Sequence, residues 1–327
     1  MKIIKASAPG RCGIIGNPTD GYGGNVISCT IPFRASAEIS PSDSLTIEVA
    51  GIKIDNPEYR HFKPDGGVFD IPLAVINYLK PANAAFNLKI TTDIPMKAGL
   101  AGSTAILAAV YAGLSFREQI KIHPFAMAET LHVIEKDILH IQCGYQDHYM
   151  TVFGGINNMC FRGKEDIAEN RRPVYASVES LDHLLGELPF ILAHTGIQHH
   201  SGDVHTPIRE RWLRGDKEVI DGYKRITELA VKGKRALLDG DLEILGELMN
   251  ENHEIQASLG GSGKENDHLI RAARDAGAYG AKLAGAGKGG TIIVLTDNKQ
   301  KMAQSLKAAG AEEIYYPEPV PGIKIII

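Results

Sequence analysis

Pro95-Met96-Lys97-Ala98-Gly99-Leu100-Ala101-Gly102-Ser103-Thr104-Ala105 is the stretch on which the reading of this chain turns. An alternating run, Phe86–Thr92, enters it as a strand would. An Ala- and Leu-rich run from Ser103 to about Arg117 leaves it as a helix. Glycines let backbone N–H groups approach an anion closely, and a helix start adds unsatisfied donors at the positive end of a dipole. Ser103 and Thr104 each carry a hydroxyl able to cap that helix, or to ligate Mg²⁺ held between phosphates. A plain capped helix after a turn accounts for the same residues. No Gly-Lys-Ser/Thr follows, so the loop is not a Walker A motif, and G-x-G-x-x-G is absent as well.

Two further glycine clusters flank this one in the chain. Gly285-Ala286-Gly287-Lys288-Gly289-Gly290 precedes a buried-strand pattern, Thr291–Leu295; four glycines in six residues exceed what a turn needs and point to close approach of a ligand or another loop. Near the N-terminus, Pro9-Gly10-Arg11 runs through Gly16-Asn17-Pro18-Thr19-Asp20-Gly21-Tyr22-Gly23-Gly24, a turn-rich segment carrying a cation, an amide and a carboxylate. Between the clusters, Val26–Ile31, Arg34–Ile39 and Leu45–Val49 read as strands and Leu73–Leu79 as a helix ended before Pro81. A second helical pattern runs from Pro124 to about Ile141. After an irregular polar stretch at 162–186 come a strand, Pro189–His194, and helices over about 205–238, 241–257 and 265–277. The elements mix without a βαβαβ rhythm, which favours an α+β fold. The length of 327 residues suggests two domains, with the division placed at 1–185 and 186–327.

Composition narrows the function classes. With 35 Lys and Arg against 39 Asp and Glu the net charge is −4, which excludes a generally basic nucleic-acid coat. No apolar run approaches about 18 residues, so no membrane span is expected, and the N-terminus lacks the apolar stretch of a signal peptide. Cys12, Cys29, Cys143 and Cys160 form no C-x-x-C pair and read as reduced thiols of a cytoplasmic protein. His194, His199, His200 and His205 invite a zinc reading, but no cysteine or second acidic group accompanies them at ligand spacing.

The order Pro-Gly-Arg…Thr-Asp…Gly-Gly, Pro-x-x-x-Gly-Leu-x-x-Ser and Lys-Leu-x-Gly-Ala-Gly-x-Gly-Gly resembles the GHMP kinases, from Pro9 to Leu295. Gly144-Tyr145-Gln146-Asp147-His148 with Phe153-Gly154-Gly155 is similar to the Gln-Asp segment of the sugar-1-kinase branch. Asn17-Pro18 stands where galactokinases have Glu-His, as in glucuronokinases, and Ser201-Gly202-Asp203-Val204-His205 through Arg209-Glu210-Arg211-Trp212 resembles a glucuronokinase stretch. The chain departs from the pattern at Thr104, where the loop has a second serine, and at Lys288, where the third motif often has a small residue.

The resemblance implies a two-domain α+β fold, with a ribosomal-protein-S5-domain-2-like first half and a ferredoxin-like second half. It implies ATP- and Mg²⁺-dependent phosphorylation of a small-molecule sugar or sugar acid, with neither nucleic acid nor membrane as partner and monomer or homodimer left open. Heptose or other hexose-1-kinase, mevalonate-type kinase and non-catalytic ligand sensor are the alternatives. Asp147 would accept the hydroxyl proton and Arg11 would orient the transferred group; Arg11 is equally suited to pair with Asp147, which would keep that carboxylate ionised. Lys97, Gly99, Leu100, Ala101, Gly102, Ser103, Thr104, Gly285 and Gly287 would bind ATP. Ser103 would ligate the metal together with a carboxylate, Glu135 rather than Asp137, since two residues apart on a helix face differently. Asn17 and Asp20 would bind the sugar, although Asp20 also suits a turn cap. A uronic acid would need a cation, for which His205, Arg209 and Arg211 are the candidates, the arginines favoured for bidentate pairing. Trp212 reads as core and Lys288 as solvent-facing.

Overall fold

The structure, a computed structural model, describes residues 2–165, 174–182, 187–197, 201–285 and 287–327, the side chains of 201–205 excepted. Much of the expected domain boundary, His199, His200, Ala286 and the side chain of His205 lie outside that description.

The first strand, β1 (Ile4–Ile15), pairs antiparallel with β2 (Asn25–Pro41), an unbroken strand where the sequence suggests two. The reason is a bulge. Pro9 pairs with Arg34 and Arg11 with Thr30, so Ile31, Pro32 and Phe33 face Gly10 alone, and the proline falls where the ladder is already interrupted. The same sheet takes β3 (Thr46–Val49) and β4 (Ile52–Asp55). Next come α1 (Asp70–Leu79), β5 (Phe86–Thr92), which pairs with β2 and lies parallel to β3, and α2 (Gly102–Arg117). The helix α3 (Pro124–Val133) does not reach Ile141; it widens into a π-helical turn, Ile134–Ile138, where Leu139 N donates to Ile134 O at 3.0 Å. Then come α4 (Gln146–Phe153), β6 (Ile156–Cys160) and β7 (Ser177–Ser180), both strands joined to the first sheet.

The second half builds a four-stranded antiparallel sheet. It begins with β8 (Phe190–His194) and α5 (Ser201–Leu213). The long helix expected over 205–238 is two, because Gly215 turns the chain at φ +80° and Asp216 caps α6 (Lys217–Asp239) by accepting from Glu218 N. Helices α7 (Leu242–Ser258) and α8 (Lys264–Asp275), β9 (Gly280–Leu283), β10 (Thr291–Leu295), α9 (Lys299–Ala308) and β11 (Glu313–Tyr315) complete it, in strand order β11-β8-β10-β9. The period of two in β8 and β10 serves two cores. Ile191, Ala193, Ile292 and Val294 pack under α8 and α9, while Phe190, Leu192, Ile293 and Leu295 join the core shared with the first sheet. Finally β12 (Lys324–Ile326) leaves the second half and pairs with β1, Lys324 opposite Ser7, a crossing that a division at 185 and 186 does not describe. Among the described residues no helix is long and apolar enough to cross a membrane.

Helix α7 meets β9 through glycine. A side chain at Gly280 would start 2.6 Å from Gly246 O and 2.7 Å from its Cα. Gly280→Ala is therefore expected to lower stability by about 1–3 kcal/mol, read by thermal or urea unfolding, with no change in the KM for nucleotide. A variant as stable as the parent would show that this contact yields freely.

Candidate active site

The loop between β5 and α2 is wound by three residues of positive φ, Lys97 (54°), Gly99 (73°) and Ala101 (62°). Its carbonyls are taken by the protein. Ala98 O accepts from Thr291 Oγ1 (2.9 Å), Gly99 O from Arg11 Nη1 (2.7 Å) and Leu100 O from Arg11 N (3.1 Å). No side chain caps α2, so the hydroxyls do not spend its first amides, and Ser103 stands exposed. A wound loop with its acceptors turned away and an uncapped helix start beyond it has the features that an anion cradle requires.

The other two glycine clusters stand behind this cradle. A side chain at Gly10 would start 2.7 Å from Leu100 O, and one at Gly285 would start 2.5 Å from Gly99 O, so β1 and the later loop both touch the phosphate-type loop by bare backbone. Gly287 is buried against Gly261, and Asn266 fastens Gly289 through both its N–H (2.6 Å) and its carbonyl (3.0 Å). The close approach at Gly285 and Gly287 is thus to other loops. Lys288 is exposed.

Asp147 opens α4. Its Oδ1 accepts from Arg11 Nε (2.7 Å) and Nη2 (2.6 Å); the arginine is buried and the carboxylate is 29% exposed. Asp20, expected to bind a sugar, has its Oδ2 occupied instead: it accepts from Tyr145 N (2.7 Å) and Gln146 N (2.9 Å), fixing the start of the helix that carries Asp147. Asn17 is also turned inward. Its Oδ1 accepts from Lys282 Nζ at 2.6 Å, and its amide lies 3.4 Å from the carbonyls of Leu283 and Gly285.

Glu135 is buried in the π-helical turn and faces α2, while Asp137 is exposed. Its Oε2 accepts from Thr104 Oγ1 (3.0 Å) and His148 Nε2 (2.7 Å), and among the described residues its Oε1 accepts nothing. Ser103 and Glu135 offer a hydroxyl and a carboxylate oxygen, hard donors that suit Mg²⁺. Arg211 does not reach out for a ligand: it pairs with Asp216 (2.7 Å) and Glu218 (2.6 Å). Arg209 is partly buried on the same helix, and Trp212 packs edge-on against Tyr22 in an apolar cluster with Ile208 and Tyr223.

Residues 70–155 match the GHMP kinase N-terminal domain and residues 234–312 the GHMP kinase C-terminal domain. The chain is 33% identical to the probable glucuronokinase 2 of Arabidopsis thaliana, over 95% of this chain and 89% of that protein. It belongs to the GHMP kinases. It is accordingly an ATP-dependent phosphotransferase with a hydroxyl group as acceptor. The mevalonate kinase of Pyrococcus furiosus is 27% identical over 99% of this chain and 98% of its own. In fold the chain is similar to Lactococcus lactis galactokinase complexed with galactose, with a TM-score of 0.81 at 18% identity, covering 99% of this chain and 95% of that one. The α+β arrangement of two halves is that of the family.

Lys282, part of the third glycine motif, lies fully buried on β9 opposite Ile293 of β10, and its ammonium donates to Asn17 Oδ1 and Leu283 O, each at 2.6 Å. Burial pulls its ammonium down from the usual 10.5 to about 7, with Arg11 adding to the shift and Cys12 opposing it. Between those two values the unfolded chain holds a proton that the native protein has lost, so raising the pH through that window favours the native state. Unfolding measured from pH 6 to 9 should show the wild type gaining on Lys282→Met above pH 7 and running parallel to it below. Parallel curves throughout would place the ammonium in contact with water.

Proposed function

We propose that this kinase phosphorylates the anomeric hydroxyl of a uronic acid or a related sugar. The observation that carries the reading is the Arg11–Asp147 pair, because one guanidinium joins the carboxylate to the carbonyl of Gly99 in the phosphate-type loop. An in-line transfer needs its base and its phosphate cradle held at a fixed separation, and that bridge supplies it. Asp147 accepts the proton of the attacking hydroxyl as the hydroxyl oxygen bonds the γ-phosphorus and the bond from that phosphorus to the β–γ bridging oxygen breaks, releasing ADP. Amides of residues 97–104 hold the triphosphate, and Arg11 balances charge beside the reacting oxygen. Ser103 and Glu135 would hold Mg²⁺, which would supply neutralisation of the phosphate charge when bound. The similarity to the Arabidopsis glucuronokinase across 95% of the chain favours a sugar acid as acceptor.

A mevalonate-type acceptor is the second reading, favoured by the end-to-end match with the Pyrococcus enzyme. A screen of free sugars, uronic acids and mevalonate with ATP, reading ADP release, separates the two; turnover of mevalonate alone overturns the sugar reading. Asp147→Asn should lower kcat by about 10²–10⁴-fold with the KM for ATP little changed, and full activity in that variant removes the base assignment. Since Arg211 is committed to Asp216 and Glu218, Arg211→Ala should leave the KM for glucuronate near that of the parent.

A further inference from the structure

Beneath the start of α4, Glu135, Cys143 and His148 bring a carboxylate oxygen, a thiol sulfur and a ring nitrogen all within 4.8 Å of one another. They come from three consecutive elements: the π-helical turn, the loop after it, and α4. Phosphotransfer uses only the first of them.

Three features give the cluster the character of a metal site. His148 is fully buried and turns its Nε2 onto Glu135 Oε2 at 2.7 Å, so the imidazole already faces the carboxylate within the cluster. Cys143 is half-buried, which leaves a way in from solvent. Its backbone is bound by His132, whose ring stacks on Tyr145 at 4.0 Å, so the sulfur's position is fixed from behind. Metal–ligand bonds of about 2.0–2.3 Å in a tetrahedral shell put neighbouring ligand atoms about 3.2–3.8 Å apart. The Glu135–His148 contact of 2.7 Å need open only slightly, and the third atom draw in. A carboxylate, an imidazole and a thiolate with one position left for water match zinc, whereas magnesium takes oxygen alone.

We propose that Glu135, Cys143 and His148 form a binding site for Zn²⁺, and that its occupation withdraws Glu135 from magnesium and stops phosphotransfer. On binding, the Cys143 thiol gives up its proton to solvent and the sulfur bonds the metal. The inhibitory half rests on the assignment of Glu135 to magnesium made above.

Co²⁺ added to the full-length protein tests the site without reference to activity, through the near-ultraviolet thiolate-to-cobalt absorption. The wild type should develop this band in proportion to metal, and Cys143→Ala should lose it while keeping its magnesium-dependent turnover. Cys160→Ala should retain the band. Absence of the band in the wild type, or its survival in Cys143→Ala, overturns the site. Zinc should inhibit the wild type, and Cys143→Ala should need at least about tenfold more for the same loss. A cobalt band that depends on Cys143 without zinc inhibition leaves the site standing and overturns the assignment of Glu135 to magnesium.

Discussion

One guanidinium connects most of what this protein needs. Arg11 lies on β1, is buried, and has donors enough to meet two kinds of acceptor at once: the carboxylate of Asp147 and the carbonyl of Gly99. A lysine could make one such contact as a point charge, but not both in a fixed plane. The same residue's backbone N–H holds Leu100 O, so the loop is tied to β1 by main chain and side chain together. Removing Arg11 would leave a carboxylate without its cation and a loop carbonyl without its donor.

Around that bridge the fold is arranged for close approach. Gly10 admits Leu100 O, Gly285 admits Gly99, and Gly13 N donates to Ala284 O, so three chain segments meet without intervening side chains. Close-packed backbones of this kind lose little entropy when a ligand arrives, because the loop's acceptors are already satisfied. The second layer holds the carboxylates. Asp20 fixes the start of α4, Thr104 and His148 fix Glu135, and Lys282 fixes Asn17. Each of these side chains acts by holding another in place.

The carboxylate of Glu135 and the thiol of Cys143 come together at one turn of the chain. The π-helical turn displaces Glu135 toward α2 and lets the chain coil back so that Cys143 returns beneath it. Under the assignments proposed above, an oxygen-only ion would draw on the carboxylate and a softer ion on all three groups.

The three glycine motifs, the strand and helix on either side of residues 95–105, and the α+β character were legible in the sequence, because they depend on local periodicity and on glycine's freedom where backbones approach closely. The tertiary structure alone decided which way the polar side chains turned. Asp20 and Arg211 look available in sequence, yet one is used by the N–H groups of residues 145 and 146 and the other by Asp216 and Glu218. Lys282 appears in the sequence only as a letter of the third motif, and the pairing of β9 with β10 is what buries it. Local pattern fixes where a helix starts; what a charged group faces depends on segments tens or hundreds of residues away, and only packing brings those into contact.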